Sequence, residues 1–273
     1  MNQFFSVSRF SLLVSKHWAD NKKRYLFSVV GFILLLVIWF VLTLLVDPHR
    51  PMDEELQILT FFFTLFGTGM LYASQYFRDL GSRPKGINFL MVPASAFEKI
   101  LCGILFTVVI FFAVFTAVFY LVDILMVFIA NRFLLTGDPS AHQPVVNMFR
   151  AAILPFDKVS MINMLLLFFA AQSTFFLGSV YFTKYSFIKT VITGFVIFFL
   201  LFCLIYLLYA RLMPAGEYED VFLVSYRVVT RGADDYLVQL PHWVGVVIHF
   251  MIMYAIAPFA WVVTYYRLKE KQV

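Results

Sequence analysis

Six long apolar runs constrain this chain more than any other feature. They occupy residues 26–46, 58–77, 100–122, 161–182, 190–210 and 243–265. Each holds about 20 residues, and a helix of that length crosses a hydrocarbon core of about 30 Å. Because no water is present at that depth to bond the backbone, each run is expected to be helical. The sequence therefore predicts an all-α, polytopic membrane protein with six transmembrane helices.

Basic and acidic residues alternate between the connections that join these runs. The two termini and residues 78–99 and 183–189 carry 14 of the 21 lysines and arginines. We call these connections the basic side and the remaining ones the acidic side. Because cytoplasmic connections are enriched in lysine and arginine, we expect both termini in the cytoplasm. The predicted location is the inner (plasma) membrane of the cell.

Composition favours the same class and argues against nucleic-acid binding. Apolar residues make up 62% of the chain and charged residues only 14%, which is outside the range of soluble domains. The net charge of +5 is concentrated on the basic side, where contact with anionic lipid explains it. We expect membrane lipid, and no nucleic acid, among the partners.

The chain divides into three predicted parts. Residues 1–25 interleave apolar and basic side chains, as in an amphipathic helix that lies in the membrane interface; a disordered leader is the alternative. Residues 26–266 form a single six-helix domain, and residues 267–273 form a cytoplasmic tail. The residues that mark the predicted interfacial helix are Phe5, Arg9, Phe10 and Trp18.

The connection at residues 78–99 is rich in turn signals. Gly81, Pro84 and Gly86 are expected to end the helix of the second run, and a short apolar stretch follows at residues 87–92. A basic, turn-rich and partly apolar loop on the cytoplasmic side favours a surface that docks another protein. A re-entry turn that dips into the interface is the alternative.

A new helix is predicted to begin near Ser95. Ser95 and Glu98 have the spacing of a capping box, in which the serine hydroxyl accepts from the third helical amide and the glutamate bonds back to the serine amide. This helix would run from the cytoplasm into the third span.

Motifs of catalysis are missing from the sequence. The chain has no phosphate-binding loop ending in Gly-Lys-Ser/Thr, no His-Glu-x-x-His pair and no Gly-x-Ser-x-Gly elbow. We therefore predict no enzyme activity, no catalytic residue, no metal site and no cofactor in this chain. Cys102 and Cys203 are expected to be packing residues rather than a disulfide or a metal site.

Ionisable residues are scarce within the runs. Such residues mark ion and proton pathways, so their scarcity argues against an ion-coupled transporter. Asp123 is expected at or just past the headgroups of the acidic side. If the protein moves a substrate, the energy comes from elsewhere and the substrate is apolar or amphipathic.

The two long connections of the acidic side, residues 131–160 and 211–242, give no firm prediction. Each has about 30 residues, which is too long for a simple turn. Residues 221–230 are rich in β-branched and aromatic side chains, which suits either a strand or a half-helix.

Short phrases at the ends of the runs resemble one known family. Pro93-Ala94-Ser95 followed by Glu98-Lys99 opens the third run, and Phe77-Arg78-Asp79-Leu80 closes the second. With Phe4-Phe5, Arg9-Phe10 and Lys23-Arg24-Tyr25 near the amino terminus, they look like phrases of small bacterial permease subunits of type 2 ABC exporters. The loop 211–242 departs from that family, because it carries seven or more charges where many members have a re-entrant hairpin.

The resemblance implies a six-helix permease subunit with a cytoplasmic coupling helix between the second and third spans. That helix docks into a separate ABC ATPase subunit, which binds ATP and Mg. A second copy or a related permease is the other implied partner, and both a homodimer and a heterodimer remain open. A non-transporting six-helix anchor is the alternative function. The residues expected to dock the ATPase are Arg78, Arg83, Lys85, Phe89, Leu90, Met91 and Glu98.

Overall fold

Helices dominate the structure, a computed structural model that describes residues 4–46, 53–133, 142–149, 161–212, 216–218, 225–228, 236–239 and 241–271. A 3-10 turn lies at Arg78–Gly81, and π-helical segments lie at Leu105–Ile110 and Met251–Ala255. The other elements are α1 (Val7–Val46), α2 (Glu54–Ser74), α3 (Arg83–Leu90), α4 (Ala96–Ile104), α5 (Phe111–Phe133), α6 (Met161–Tyr181), α7 (Ser186–Leu212), β1 (Gly216–Tyr218), β2 (Ser225–Val228), β3 (Tyr236–Gln239), α8 (His242–Phe250) and α9 (Ile256–Glu270).

Six helical stretches of the described residues are long and apolar enough to cross a membrane, which confirms the predicted number of spans. The third span runs through α4, a π segment and α5, and the sixth runs through α8, a π segment and α9. The protein is therefore a multi-pass helical membrane protein. The stretches are Val7–Val46, Glu54–Ser74, Ala96–Arg132, Met161–Tyr181, Ser186–Leu207 and Trp243–Glu270.

The first helix is longer than the sequence predicts. α1 runs through 40 residues without a break, and at 1.5 Å per residue it is about 60 Å long, twice the thickness of a hydrocarbon core. The predicted interfacial segment is thus the first half of α1 rather than a separate helix. That half packs on the third span, where Leu13 joins the buried Cys102 and Phe106.

An aromatic cluster forms the centre of the bundle, where α2, α5 and α6 meet. The ring of Phe61 lies edge-on to Phe119 at 5.0 Å and to Phe115 at 5.5 Å between centroids. Phe168 of α6 is fully buried in the same cluster. Lipid tails are as apolar as these side chains, so the hydrophobic effect does not drive the helices together. Close fit and edge-to-face ring contacts stabilise the packing instead.

A second cluster lies toward the basic side, and one glycine permits its close packing. Phe77, Ile100 and Phe176 are buried together there. A Cβ atom added at Gly103 would lie 2.5 Å from Cζ of Phe176 and 2.8 Å from Cε1 of Tyr76. Only a residue without a side chain lets these rings approach α4 so closely.

Residues 142–149 fold back over the acidic-side end of the bundle. The amide of Val146 donates to Oε1 of Gln57 at 3.0 Å, and the amide of Met148 donates to the Tyr120 hydroxyl at 2.9 Å. Gln57 is fully buried. These bonds satisfy the backbone of a segment that has no regular secondary structure.

Asp123, predicted to lie at or just past the headgroups of the acidic side, is buried among the helices. Its side chain is excluded from solvent, and neither carboxylate oxygen has a hydrogen-bond partner within the described part of the chain. Val122 and Met126 on either side of it belong to the central cluster. α5 continues to Phe133, about three turns beyond Asp123.

The connection between α7 and α8 carries a small antiparallel sheet. The described strands pair in the order β1-β2-β3, with Glu217 opposite Arg227 and Tyr226 opposite Val238. Within the predicted stretch 221–230, the described residues Ser225–Val228 form a strand, β2, rather than a half-helix. The all-α prediction holds for the spans, and this sheet is an addition to it.

Candidate docking surface

The connection between the second and third spans folds into a short helix outside them. After the 3-10 turn, Pro84 lies in the first turn of α3, where a missing amide costs nothing because it has no helical partner. Pro84 and Gly86 therefore lie within α3 rather than ending a helix, which corrects their predicted role. Gly81 approaches the next basic-side connection, since a Cβ there would lie 2.6 Å from the Thr183 carbonyl oxygen.

The predicted capping box at the start of α4 is confirmed. The amide of Glu98 donates to Oγ of Ser95 at 3.1 Å, and the amide of Ser95 donates to Oε2 of Glu98 at 2.8 Å. Both hydrogen bonds of the capping box therefore form. They fix the first turn of α4 and so the direction in which the third span begins.

The other carboxylate oxygen of Glu98 binds the amino-terminal segment. Oε1 accepts from the Ser6 amide at 2.8 Å and from the Arg9 guanidinium at 3.0 Å. The Glu98 side chain is fully buried. Glu98 was predicted to contact a partner, and the structure corrects this, because its oxygens are used inside the chain and are not exposed to another protein.

Further contacts hold the amino terminus to the same place. Ser95 donates its hydroxyl to the Phe4 carbonyl at 2.7 Å, and the rings of Phe4 and Phe97 stack at 4.8 Å. Phe5 meets Phe97 edge-on at 6.2 Å. The amino terminus and the entrance of the third span thus form one packed unit.

The four predicted interfacial residues divide between this unit and the surface. Phe5 and Arg9 face the start of α4, and Phe10 packs against the cluster around Cys102. Trp18 is 51% exposed, which suits the membrane–water boundary where tryptophan is enriched.

Two of the predicted docking residues are only partly exposed. Phe89 and Leu90 are half-buried and pack against the cluster of Phe77. The buried Lys99 donates its Nζ to the Leu90 carbonyl at 3.0 Å and lies 5.5 Å from the centre of the Phe89 ring. These contacts hold α3 to α4 and leave Phe89 and Leu90 only partly available to a partner.

The exposed face of the loop is formed by other side chains. Met91 is 76% exposed and Ile87 is 55% exposed. Arg78, Arg83 and Lys85 are exposed on the same loop, as predicted for docking. Lys85 lies 4.0 Å from Asp79, a surface pair that contributes little stability and leaves the charge available. The sequence did not single out Ile87, because its alternation with polar neighbours in α3 is too short to show a face.

A cleft of about 500 Å³ separates this loop from the first half of α1. Lys16, Arg24, Arg78 and Lys85 line it together with Asp20 and Asp79, so positive charge is in excess. The opening beside it, of about 680 Å³, reaches Met91 and Pro93. The loop therefore offers two exposed apolar side chains, Ile87 and Met91, beside a basic cleft.

The carboxyl terminus is fastened to the same side of the bundle. Lys271 donates its Nζ to the Val180 carbonyl at the end of α6, at 2.6 Å. Burial lowers the pKa of the Lys271 ammonium, and the nearby Arg267 lowers it further. The bond from Lys271 ties the end of α9 to α6.

In the described ranges, no three His, Cys, Asp or Glu side chains lie close enough to hold a metal ion together. Cys102 is buried against Phe106 and Cys203 is exposed on α7, and neither forms a disulfide in the described residues. Comparison of the chain with protein-family models, with curated proteins and with solved structures found no match.

Proposed function

We propose that this chain is the membrane-spanning permease subunit of a type 2 ABC exporter. It would move an apolar or amphipathic substrate with energy from a separate cytoplasmic ATPase. The observation that carries the proposal is α3, a short helix held outside the spans between the second and the third, with Ile87 and Met91 exposed beside a basic cleft.

The contacts around α3 support a mechanical role. α3 is tied to α4 through Lys99 and the Leu90 carbonyl, and α4 continues into the third span. The first helix is tied to the same point through Arg9 and Glu98. A push on α3 by a bound partner would therefore reach the first and third spans together, since both are attached at the base of α4.

The partner ATPase would bind ATP and Mg, because this chain has no phosphate-binding loop. The substrate path would lie between two permease subunits, either two copies of this chain or this chain and a related one. Apart from the buried Asp123, and from Glu98 and Lys99 at the base of α4, the interior of the spans is largely apolar, which supports an apolar or amphipathic substrate.

Affinity purification of the tagged full chain in mild detergent, followed by mass spectrometry, tests the docking claim. We expect a stoichiometric P-loop ATPase with the wild-type chain. Replacement of both exposed side chains, Ile87→Asp with Met91→Asp, should remove it. Tyr185→Asp is the matched control, because Tyr185 is 78% exposed on the other basic-side connection and has a φ of 55° that aspartate tolerates.

Phe89→Asp is a poor test, because Phe89 packs against the cluster of Phe77 and its replacement would also disturb the position of α3. No ATPase with the well-folded wild-type chain, or equal ATPase with the double variant, contradicts the proposal. A stoichiometric partner without a P-loop, held through the same loop, favours the alternative of a non-transporting anchor.

A further inference from the structure

A half-open apolar groove of about 520 Å³ lies between α1, α2 and the third span. Gly31 and Leu35 line it from α1, Leu71 from α2, and Phe115 and Val118 from α5. Its volume is that of a site for a small or medium ligand. It adjoins the basic cleft described above, and Arg24, Tyr25, Tyr72 and Gln75 border both.

The groove is open above Gly31. A Cβ atom added there would have no heavy atom within 4 Å. The floor beneath it is rigid, because the Phe32 ring stacks on Phe115 at 5.0 Å and Tyr72 stacks on Phe111 at 5.3 Å. The floor of the groove is thus formed by packed aromatic rings.

The end of the groove on the basic side is charged. Lys22 and Arg24 are exposed there, and Trp18 lies beside them. The Arg24 guanidinium donates to Oε1 of Gln75 at 2.6 Å, which holds its charge at the mouth. Among the described residues that line the groove there is no aspartate or glutamate. The mouth therefore attracts an anion.

The length of the groove matches one leaflet of a bilayer. Arg24 and Leu35 are 11 residues apart on one helix, which is about 16 Å along its axis. Half of a hydrocarbon core is about 15 Å. The charged mouth therefore lies at the headgroups of the leaflet on the basic side, and the apolar end lies near the bilayer centre.

From this arrangement we propose that the groove binds one anionic phospholipid of the leaflet on the basic side. The phosphate is held by Lys22 and Arg24, and one acyl chain lies over Gly31 toward Leu35 and Val118. Basic pockets between helices on the cytoplasmic side recognise anionic headgroups in this way. The site does not depend on a partner ATPase.

Native mass spectrometry of the full chain, purified in mild detergent with equal amounts of phosphatidylglycerol and phosphatidylcholine, tests the site. We expect the wild-type chain to retain phosphatidylglycerol. Gly31→Phe fills the groove and should lose the lipid, whereas Gly31→Ala should keep it. Gly194→Phe is the matched control, because Gly194 of α7 also has nothing within 4 Å.

A second pair of variants tests the contribution of the charged mouth separately from that of the apolar groove. Lys22 lines the mouth, whereas its neighbour Lys23 is exposed but does not line it. Lys22→Gln should lower the preference for phosphatidylglycerol over phosphatidylcholine by about five-fold, and Lys23→Gln should leave it unchanged.

Equal retention of the two lipids by the wild-type chain would overturn the proposal. So would unchanged phosphatidylglycerol in Gly31→Phe. If Gly31→Phe instead breaks a dimer while lipid retention stays the same, the groove seats a second copy of the chain and the lipid assignment is wrong.

Discussion

The Arg9 guanidinium and the Glu98 carboxylate lie 3.0 Å apart, although 89 positions of the chain separate them. Arg9 is 35% exposed at the side chain, and Glu98 is fully buried. The pair links the first turns of α1 to the first turn of α4, and so joins the amino terminus to the base of the third span. The stability of the basic side depends on this link.

Glu98→Ala should lower the free energy of unfolding by about 2 kcal/mol, because the amides of Ser6 and Ser95 lose a buried acceptor. Thermal unfolding in mild detergent measures the change. Glu270→Gln is the control, since the Arg267–Glu270 pair is exposed and such pairs contribute less than about 1 kcal/mol. Equal unfolding temperatures for the two variants would contradict the buried role of Glu98.

Gly103→Ala should destabilise the protein by about 1–3 kcal/mol, because its Cβ would overlap two buried rings. Gly67→Ala should be neutral or stabilising by up to about 1 kcal/mol, since alanine favours a helix and nothing lies within 4 Å of that position. Thermal unfolding of both variants gives the comparison. A Gly103→Ala protein as stable as Gly67→Ala would show that α4 and α6 are less closely packed than described.

Gln172→Leu should destabilise the bundle by about 1–2 kcal/mol. The buried Gln172 amide donates to the Thr107 carbonyl in the π-helical part of the third span, and leucine cannot replace that donor. Thr174→Val is the control, because the Thr174 hydroxyl bonds only to the nearby Ala171 carbonyl of its own helix among the described residues. Unfolding of the two variants at the same temperature would remove any role for the Gln172 bond.

A membrane-impermeant maleimide should distinguish the two sides of the protein. Lys85 and Glu54 are both exposed, on the basic and the acidic side respectively. We expect Lys85→Cys to be labelled only after the membrane is opened, and Glu54→Cys to be labelled in intact cells, because basic connections stay in the cytoplasm. Unlabelled wild-type protein, with Cys102 buried and Cys203 within a span, is the control. Labelling of the two variants in the opposite pattern would reverse the predicted orientation.

The features that are properties of contiguous sequence were predictable. The six spans follow from apolar runs of sufficient length, and the capping box follows from the spacing of Ser95 and Glu98. The exposure of the proposed docking residues was predictable only in part. Arg78, Arg83, Lys85 and Met91 are exposed, but apolar residues of a short helix give too few turns to show which side is buried.

The sequence by itself determined that this chain crosses a membrane as helices and that a helix begins at Ser95, because length, hydropathy and capping act between near neighbours. Only the tertiary structure decided which distant residues contact those helices. It placed Arg9 on the second oxygen of Glu98, turned Phe89 inward and left Ile87 outside, and enclosed Asp123 in the bundle. Contacts between residues tens of positions apart depend on how whole helices pack, and a local pattern carries no record of that packing.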